Sequence, residues 1–375
     1  MSVFSSAEFT ARFERLRTAM RMHAVDVMIL DDCEILAYFT GYETTLNLYR
    51  ACIAPREGRP VMVLRALDAE PFRSQSWFQD HEGFADGDDP VEKLAGALGT
   101  RGFGAAAIGF DSGSHALSVA GYERLRGLLP DARFVPMHQV PWELRLVKSP
   151  AEIALIRRAA ELLDQTLQEI IPMLSPGVTA RDVAATARLR LAELGADPAH
   201  LGYVAAARGW DFLHAQSEES PLEAGDVLHL ELVARYRGYE ARLMRCVALG
   251  PIDAERRHAA ELLVALQDAQ LAAMKPGAAA RDVDAILRNG VLAAGLRESY
   301  PNVTGYTLGY YSRVPIRSSD FTRCFLPSGE WRLEAGMVFH MYTSARGVSF
   351  SETVLVGDQG AERLTKLDRR LFSKS

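Results

Sequence analysis

The chain has 375 residues, of which 48% are hydrophobic and 24% are charged, and its formal net charge is −6. This length favours two domains over a single core, and the composition is typical of a folded globular protein rather than a disordered one. The negative charge and the scattered Lys and Arg residues argue against nucleic acid or an anionic membrane as the main partner.

The first part of the chain alternates between helical and strand-like segments. Phe9, Phe13, Leu16 and Met20 recur at helical spacing and predict an opening helix over residues 9–23. Further helices are predicted near residues 90–99 and 117–129, and short buried strands at Val25–Leu30, Ala51–Pro55, Pro60–Arg65 and Ala105–Phe110. This alternation predicts an α/β layer domain.

The second part is marked by a repeat. Ala159–Leu163 returns 100 residues later as Ala259–Leu263, and Pro176–Val183 returns with two changes as Pro276–Val283. Each copy is predicted to contain a long helix, a Pro-Gly turn, a second helix and a β-hairpin, and a capping box at Ser149–Glu152 begins the first long helix. Because such a unit must bury its apolar face against its copy, we expect the site between the two halves.

The first hairpin strand of each copy alternates apolar and polar residues. The residues predicted to face the helices are Leu228, Leu230, Leu232, Met337, Phe339 and Met341. The opposite faces carry His229 with Glu231 in one copy and His340 with Tyr342 in the other. We expect these two polar faces to meet at the pseudo-twofold axis, and we interpret the two histidines as satisfied core residues.

Glu231 is the strongest candidate for chemistry. A carboxylate on the inner face of a strand must be hydrogen-bonded or paired, or its pKa rises, and it could act as a general base, a nucleophile or a cation binder. The alternative is a structural ion pair with Arg242 or Arg245 across the hairpin. His214 lies in the loop before this strand and could shuttle protons near neutral pH, although a single histidine is also a common surface group.

Two later segments add candidates. The tract 302–313 mixes glycines with aromatic residues, so Tyr306 could offer a hydrogen-bond donor, or the tract could be a packed aromatic loop. Glu352 is a second acid on the last hairpin, and because strand side chains alternate, only one of Ser351 and Glu352 can face the site. The sequence contains no HExxH motif, no cysteine cluster and no phosphate-binding loop.

The repeat, the linker Leu144–Ile153 and the strand Gly336–Phe339 together resemble the creatinase/aminopeptidase P family. The resemblance covers essentially the whole chain. It implies an α+β architecture, with a creatinase-type N-terminal α/β domain at residues 1–145 and a duplicated pita-bread catalytic domain at residues 146–375.

Metallopeptidases of this family bind two metal ions through two Asp, one His and two Glu. By motif, those positions here are Glu231, Arg242, Tyr306, Tyr342 and Ser351. Only Glu231 is a carboxylate, and Arg242 places a permanent cation where a divalent ion would sit. The resemblance therefore implies a site with no metal and no other cofactor, and it argues against Xaa-Pro peptidase activity.

The same family includes metal-free enzymes, creatinase and ectoine hydrolase, that cleave carbon–nitrogen bonds in small amidine compounds. Gly305–Tyr306, Phe339–Met341 and Ser351–Glu352 resemble motifs of ectoine hydrolase, and His214 matches the spacing of the catalytic histidine of creatinase. Ser349 and the hairpin arginines depart from the ectoine hydrolase pattern, which leaves the substrate open.

We therefore predict an enzyme that hydrolyses, without a metal, a non-peptide carbon–nitrogen bond in a small polar nitrogen compound such as an amidine, a cyclic amidine or an amide. Glu231 would be the nucleophile or general base, and His214 would carry the proton to the leaving nitrogen. The predicted substrate-binding residues are Arg242, Tyr306, Arg313, Tyr342, Glu352 and Arg50. Among them Arg242 and Arg313 would bind a substrate carboxylate, and Tyr306 and Tyr342 would donate hydrogen bonds to the intermediate.

Two other functions stay open from the sequence. The protein could bind a peptide or small ligand without catalysis, or it could be an atypical Xaa-Pro peptidase with a single metal held by Glu231 and His214. Turnover of small nitrogen compounds separates the first from an enzyme, and metal analysis separates the second.

The expected partners are a small-molecule substrate and a second copy of the chain, with no nucleic acid and no membrane. The family resemblance implies a homodimer in which the N-terminal domain borders the partner's site, and Arg50, at the end of the segment Thr44–Arg50, is the candidate for that contribution. An ordinary polar loop is the alternative. The N-terminal segment lacks the cationic and apolar regions of a secretion signal and the four cysteines have no CxxC spacing, so a cytoplasmic protein is expected.

Overall fold

The computed structural model of the chain describes residues 3–43, 48–198, 201–206, 219–311 and 321–374. The chain divides into two compact units, Met1–Arg145 and Leu146–Ser375. Within the described ranges, no helix is both long enough and apolar enough to cross a membrane.

The first unit is built around one mixed sheet. Its helices are α1 Ser6–Met22, α2 Cys33–Thr40, α3 Ala69–Gln75, α4 Pro90–Thr100, α5 Val119–Leu128 and α6 Val140–Glu143. Its strands are β1 Val27–Leu30, β2 Ala51–Pro55, β3 Val61–Arg65, β4 His81–Phe84, β5 Ala107–Phe110 and β6 Arg133–Pro136. They are ordered β4-β3-β2-β1-β5-β6, with β1 parallel to β5 and antiparallel to β2.

Strand β1 shows why this sheet is buried on both faces. Met28 and Leu30 pack in one apolar cluster with residues of α1 and α2, whereas Val27 and Ile29 pack in a second cluster with residues of α4 and α5. Successive strand residues point to opposite faces, so an uninterrupted apolar run covers both sides. The layered α/β domain predicted from the alternation of elements is the architecture observed.

The second unit contains the repeat. Its helices are α7 Pro150–Ile170, α8 Ala180–Glu193, α9 Ala254–Ala273 and α10 Ala280–Ala293. Its strands are β7 Val204–Ala206, β8 Val227–Tyr236, β9 Tyr239–Leu249, β10 Gly305–Thr307, β11 Cys324–Phe325, β12 Val338–Ala345, β13 Val348–Gly357, β14 Gly360–Arg363 and β15 Phe372–Lys374. The first copy is α7-α8-β8-β9, and the second is α9-α10-β12-β13.

The predicted capping box begins helix α7. The Ser149 hydroxyl accepts from the Glu152 amide at 3.3 Å, and the Ser149 amide donates to the Glu152 carboxylate at 2.9 Å. Pro150 occupies the first helical position, where its missing N–H costs nothing. In the same way the Thr179 side chain accepts from the Asp182 amide at the start of α8.

The two copies join edge to edge rather than facing each other across a gap. The sheet order is β11-β10-β12-β13-β9-β8-β7, with β14 on β13 and β15 on β9. The expectation that β8 and β12 would meet at the pseudo-twofold axis was wrong, because the return strand of each hairpin, β9 or β13, lies innermost. Met244 of β9 and Ser351 of β13 are directly paired where the halves join.

The helices cover one face of this sheet. Helix α7 packs against β8 and β9, and α9 packs against β12 and β13. Phe339 and Met341 share an apolar cluster with Leu271 of α9 and with Met274, which follows the last residue of α9. This confirms the predicted helix-facing side of β12. By alternation, the other face of the sheet carries the polar residues considered next.

Candidate active site

The sheet of the second unit has a face, here called the polar face, that carries Glu231. Glu231 of β8 is paired with Met244 of β9. Met244 is paired with Ser351 of β13, which in turn is paired with Tyr342 of β12. Directly opposed residues of antiparallel strands share a face, so all four side chains leave the sheet on the same side.

A second row of the polar face lies two residues along each strand from the first. His340 of β12 is paired with Thr353 of β13 on one side and with Tyr306 of β10 on the other. The Thr353 hydroxyl accepts from the Arg242 amide at 2.8 Å and donates to the Arg242 carbonyl at 2.9 Å. This row therefore brings Arg242 and Tyr306 together from opposite halves of the repeat.

The Arg242 guanidinium is directed into the protein. Its side chain is buried, Nη1 donates to the Tyr306 hydroxyl at 2.7 Å, and Nη2 donates to Glu240 Oε2 at 3.3 Å. The guanidinium carbon also lies 5.4 Å from the centre of the Tyr306 ring and 5.6 Å from that of Tyr311. A hydrogen bond, an ion pair and two aromatic faces thus fix this cation.

His340 is buried, as expected, but its Nε2 has no hydrogen-bond partner among the described residues, so it is not the fully satisfied core residue that was predicted. It also contacts both site tyrosines. It is fully buried, its Nδ1 lies 2.8 Å from the Tyr306 hydroxyl, and its ring stacks on Tyr342 with the ring centres 5.5 Å apart. Burial, and then the positive charge of Arg242, holds the pKa of His340 well below its usual 6.5. The imidazole is therefore neutral at physiological pH.

The backbone at Gly202 approaches the backbone of Glu231 unusually closely. The side chain of Glu231 is buried, and the Glu231 amide donates to the Tyr203 carbonyl at 2.8 Å. Gly202 beside it has φ +98°, and a Cβ there would collide with the Glu231 carbonyl. Only glycine fits this position, because other residues would meet both the left-handed backbone and the collision.

Tyr342 is neutral beside this acid. Burial is the main cause that raises its pKa above the ordinary 10.0, and the neighbouring Tyr300 and Glu231 raise it further. The Asn302 amide donates to its hydroxyl at 3.2 Å. A phenol that keeps its hydrogen at physiological pH is available as a hydrogen-bond donor.

A third row of the polar face was not anticipated as a group. His229 Nδ1 lies 2.7 Å from the Ser349 hydroxyl, and Cys246 Sγ lies 3.4 Å from the same hydroxyl. All three residues are buried, which raises the pKa of the Cys246 thiol. Glu240 was also not predicted as a site residue. It lies two residues before Arg242 on one strand, and strand alternation therefore places both side chains on the same face.

Glu352 lies on the opposite face of the sheet, so its predicted role in substrate binding is corrected. It is paired in register with Met341, which faces the helices. Its carboxylate accepts from Arg245 Nη2 at 2.8 Å and from the Thr365 hydroxyl, and the Arg369 guanidinium lies 3.6 Å away. Alternation places Ser351, rather than Glu352, on the side of Glu231.

Arg245 belongs to the same buried group on the helix side. Its guanidinium also donates to the carbonyls of Met244, Ser351, Leu367 and Asp368. The alternative of a Glu231–Arg245 ion pair is therefore wrong, because the two side chains leave opposite faces of the hairpin.

Three predicted features concern other parts of the chain. His214 and Arg313 lie outside the described residues, as does the stretch 44–47 of the segment proposed to reach a partner's site. Arg50 is described and is buried within the first unit, where its guanidinium contacts Cys33 Sγ. Its proposed contribution to a partner's site stays a prediction.

The five positions assigned by motif to metal ligands do lie together on the polar face. They are Glu231, Arg242, Tyr306, Tyr342 and Ser351. Among the described residues, no group of three or more His, Cys, Asp or Glu side chains is arranged to hold a metal ion. What these positions do offer is one carboxylate, one fixed guanidinium and three hydroxyl groups.

Comparison with known families gives two matches that together span most of the chain. The profile of metallopeptidase family M24 matches residues 154–358, and that of the creatinase/prolidase N-terminal domain matches residues 12–147. These matches confirm the resemblance deduced from the repeat and the linker.

Individual relatives point in two directions. An ectoine hydrolase from Halomonas elongata is 26% identical over 400 residues, covering 99% of this chain and 98% of that protein. An Xaa-Pro dipeptidase from Pyrococcus furiosus is 27% identical over 241 residues, covering 64% of this chain and 68% of that protein.

Two solved structures of similar fold are named as peptidases. The prolidase from Pyrococcus horikoshii OT3 superimposes with a TM-score of 0.83 at 22% identity, covering 96% of this chain and 99% of that one. An Xaa-Pro dipeptidase from Bacillus anthracis gives a TM-score of 0.85 at 21% identity, covering 98% and 100%. These likenesses confirm the predicted α+β fold, in which a creatinase-type N-terminal domain precedes a duplicated pita-bread unit.

Proposed function

The chain belongs to metallopeptidase family M24, and we propose that within this family of hydrolases it cleaves a non-peptide carbon–nitrogen bond in a small polar nitrogen compound, without a bound metal ion. Amidines, cyclic amidines and amides are the compounds in view. The ectoine hydrolase that aligns along nearly the whole chain supports this substrate class. The residues of the polar face support the metal-free chemistry.

The observation that carries the proposal is the position of Arg242. A guanidinium cannot lose its proton at physiological pH, so it repels a divalent cation placed beside it. Here it is buried, bonded to Tyr306 at 2.7 Å and paired with Glu240 at 3.3 Å. The residues present therefore do not fit a two-metal centre, because Glu231 is the one carboxylate among the five positions and a fixed cation stands among them.

In the proposed reaction, Glu231 acts as general base toward water or as nucleophile toward the electrophilic carbon of the substrate. The negative charge that develops on the substrate is stabilised by hydroxyl donors of the polar face, with Tyr342 in the row of Glu231. The proton on the leaving nitrogen would come from His214, an assignment made from the sequence.

The role first predicted for Arg242 changes in this proposal. Both of its Nη atoms already donate, one to Tyr306 and one to Glu240. We therefore assign it to fixing and polarising the Tyr306 hydroxyl rather than to binding a substrate carboxylate directly. Arg313 keeps the predicted carboxylate-binding role on sequence grounds.

An assay panel tests the proposed reaction. Purified protein is incubated in chelator with ectoine, other cyclic amidines, guanidino acids and small amides, and in parallel with Xaa-Pro dipeptides. Release of a ring-opened or amine product from a small nitrogen compound, with no dipeptide cleavage, is the expected result. Binding of panel compounds without turnover of any would contradict the proposal and favour a binding protein.

A peptidase is the second candidate because the Pyrococcus furiosus relative is an Xaa-Pro dipeptidase of similar identity. That activity would require a metal held by Glu231 with few other carboxylate ligands. Dipeptide cleavage that disappears on chelation and returns with Mn²⁺, Co²⁺ or Zn²⁺ would establish this alternative.

A further inference from the structure

We propose that Ser351 and Tyr342 form a two-hydroxyl subsite that binds an oxygen of the substrate, and that Asn302 is the positioning residue that turns the Tyr342 hydroxyl hydrogen toward it. The ligand group would be a hydrogen-bond acceptor, such as a carbonyl or carboxylate oxygen. This inference rests on the proposed function, since it places that oxygen in the same row of the sheet as Glu231.

The orientation of the Asn302 side chain is fixed by its neighbours. Arg297 Nη1 donates to Asn302 Oδ1 at 3.1 Å, and a guanidinium can only donate. The amide nitrogen must therefore point the other way, where it donates to the Val303 carbonyl and to the Tyr342 hydroxyl, both at 3.2 Å. This network removes the usual ambiguity between the oxygen and nitrogen of an asparagine amide.

The direction of the Tyr342 hydrogen follows from this. Because the phenol oxygen accepts from Asn302, its own hydrogen is not used in that bond. Burial raises the pKa of Tyr342, so the hydrogen is retained at physiological pH. Across the described part of the chain, Asn302 is the hydrogen-bond partner of this hydroxyl, and no acceptor lies within bonding distance of it.

Ser351 supplies the second hydroxyl. It is paired directly with Tyr342 and is fully buried. Its Oγ has no hydrogen-bond partner among the residues that the structure describes. A buried hydroxyl left in that state destabilises the folded protein, and a bound acceptor would offset that cost.

The two hydroxyls also have a fixed relation to the proposed catalytic acid. Ser351 is paired with Met244, and Met244 is paired with Glu231, so the three polar side chains stand in one row on one face. A substrate oxygen held by Ser351 and Tyr342 is therefore placed along the row from the Glu231 carboxylate. The subsite selects compounds that carry an oxygen acceptor near the cleaved carbon–nitrogen bond.

Reversing the polarity of Asn302 tests the inference with little change of shape. In Asn302→Asp, a carboxylate oxygen replaces the amide nitrogen, so it accepts the Tyr342 hydrogen that the subsite needs, while Arg297 still has its acceptor. We expect the kcat/KM for ectoine to fall about tenfold or more, as in Tyr342→Phe. Asn289→Asp, on the exposed side of α10, makes the same chemical change and should leave kcat/KM unaltered.

A double variant separates this role from a merely structural one. If Asn302 acts only through Tyr342, then Asn302→Asp combined with Tyr342→Phe should lose no more activity than Tyr342→Phe alone. Fully additive losses would overturn the positioning role. For Ser351→Ala, we expect a several-fold weaker binding of ectoine together with unchanged or higher resistance to urea, because a buried unsatisfied hydroxyl is removed. Lower resistance to urea with unchanged ectoine binding would show a structural hydroxyl instead.

A measurement without substrate keeps this inference separate from the proposed function. In protein labelled with ¹⁵N-asparagine, the side-chain amide signal of Asn302, identified by its loss in Asn302→Asp, should shift clearly in Tyr342→Phe. An unshifted signal would overturn the subsite even if ectoine is hydrolysed. A shifted signal without binding or turnover of ectoine, the other cyclic amidines, the guanidino acids or the small amides would instead overturn the proposed substrate class and leave the hydrogen-bond arrangement standing.

Discussion

Glu231 and Arg242 are buried charges of opposite sign on one face of the β8–β9 hairpin. The first carries the proposed reaction, and the second is committed to Tyr306 and Glu240. Their different partners mean that substituting them should have different consequences, one mainly for turnover and the other mainly for stability.

Glu231→Gln keeps the shape of the side chain and removes the negative charge. We expect turnover in the assay panel to fall by about 10²–10⁴-fold, the range for loss of a general acid or base. The thermal midpoint should stay the same or rise, because burying a neutral amide is less costly than burying a carboxylate. Glu223→Gln, at an exposed position before β8, is the matched control. Normal turnover by Glu231→Gln would remove Glu231 from the mechanism.

Arg242→Met should remove the guanidinium that forms an ion pair with the buried Glu240 carboxylate. Breaking a buried pair on one side typically costs about 3–5 kcal/mol, whereas replacing both partners is close to neutral. We therefore expect urea unfolding to show a large loss for Arg242→Met and substantial recovery in Arg242→Met/Glu240→Gln. A loss below about 1 kcal/mol, as for an exposed pair, would show that the guanidinium is solvated.

Single residues of the site were predicted with mixed success, for a physical reason. The two-residue period of a strand was enough to bring Glu231 and Tyr342 to one face. The same period showed that only one of Ser351 and Glu352 can face the site. It did not show which of the two does so, because that depends on the register between β9 and β13. The hydrogen bonds that Asn302 donates and that Glu240 accepts depend on side-chain packing, which residue spacing does not specify.

At the scale of elements, the junction of β9 and β13 is held by buried charge on its helix side. Glu352 accepts from Arg245 at 2.8 Å, with Arg363 and Arg369 at 4.0 and 3.6 Å. Burial lowers the pKa of Arg245, because it disfavours the charged guanidinium. The Arg245 cation therefore depends on the Glu352 carboxylate to stay favourable in the buried group. This group joins the first copy of the repeat to the second.

Glu352→Gln should therefore destabilise the fold without touching the site. With a buried guanidinium left uncompensated, we expect a loss of about 3–5 kcal/mol in urea unfolding. The kcat of the remaining folded protein should be unchanged because the carboxylate faces away from Glu231. A large fall in kcat at unchanged stability would restore the original assignment of Glu352 to substrate binding.

The end of strand β1 carries a carboxyl group with an unusual proton affinity. Burial, reinforced by the neighbouring Asp32 and opposed by hydrogen bonds from Ser114 and Tyr49, raises the pKa of Asp31 from 3.8 to about 7. Between these values the folded chain holds a proton that the unfolded chain releases. This group therefore makes the protein less stable as pH rises from about 4 to about 7.

Asp31→Asn should remove that pH dependence. We expect the free energy of unfolding of the wild type to fall relative to the variant between pH 4 and pH 7 and to level off above pH 7. Urea unfolding at a series of pH values measures the difference, and Asp131→Asn, at an exposed position, is the control. A parallel pH dependence in wild type and Asp31→Asn would contradict the raised pKa.

Some elements could be located from the pattern of their apolar residues and others could not. Helix α1 shows apolar residues at helical spacing, and strand β2 was located at its observed bounds. Helix α2 was missed because all of its residues are buried, so it lacks a polar face and with it the helical period. Strand β4 was missed for the opposite reason, as only Phe84 in it is buried.

For the whole molecule, duplication explains how the site is assembled. Glu231 and Tyr342 occupy equivalent positions in the two copies, and they flank the central Met244–Ser351 pair in a single row. The repeat alone predicted the equivalence of the two strands. The innermost position of β9 and β13 could not be predicted from it, because the sequence does not show which strand of each hairpin meets the other half.

The family resemblance also leads us to propose a homodimer. Light scattering coupled to size exclusion should give a mass near twice the 41.3 kDa of the chain. A mass equal to one chain at micromolar concentration would contradict this part of the proposal.

We propose that Arg242 occupies the place of the metal ions, so that Glu231 works without them. Elemental analysis of protein purified without chelator, combined with turnover before and after dialysis against 1,10-phenanthroline, tests it most directly. We predict substoichiometric Mn, Fe, Co and Zn and an unchanged rate of hydrolysis of the small nitrogen compound. Stoichiometric metal, with activity lost on dialysis and restored by adding that metal, would contradict the claim.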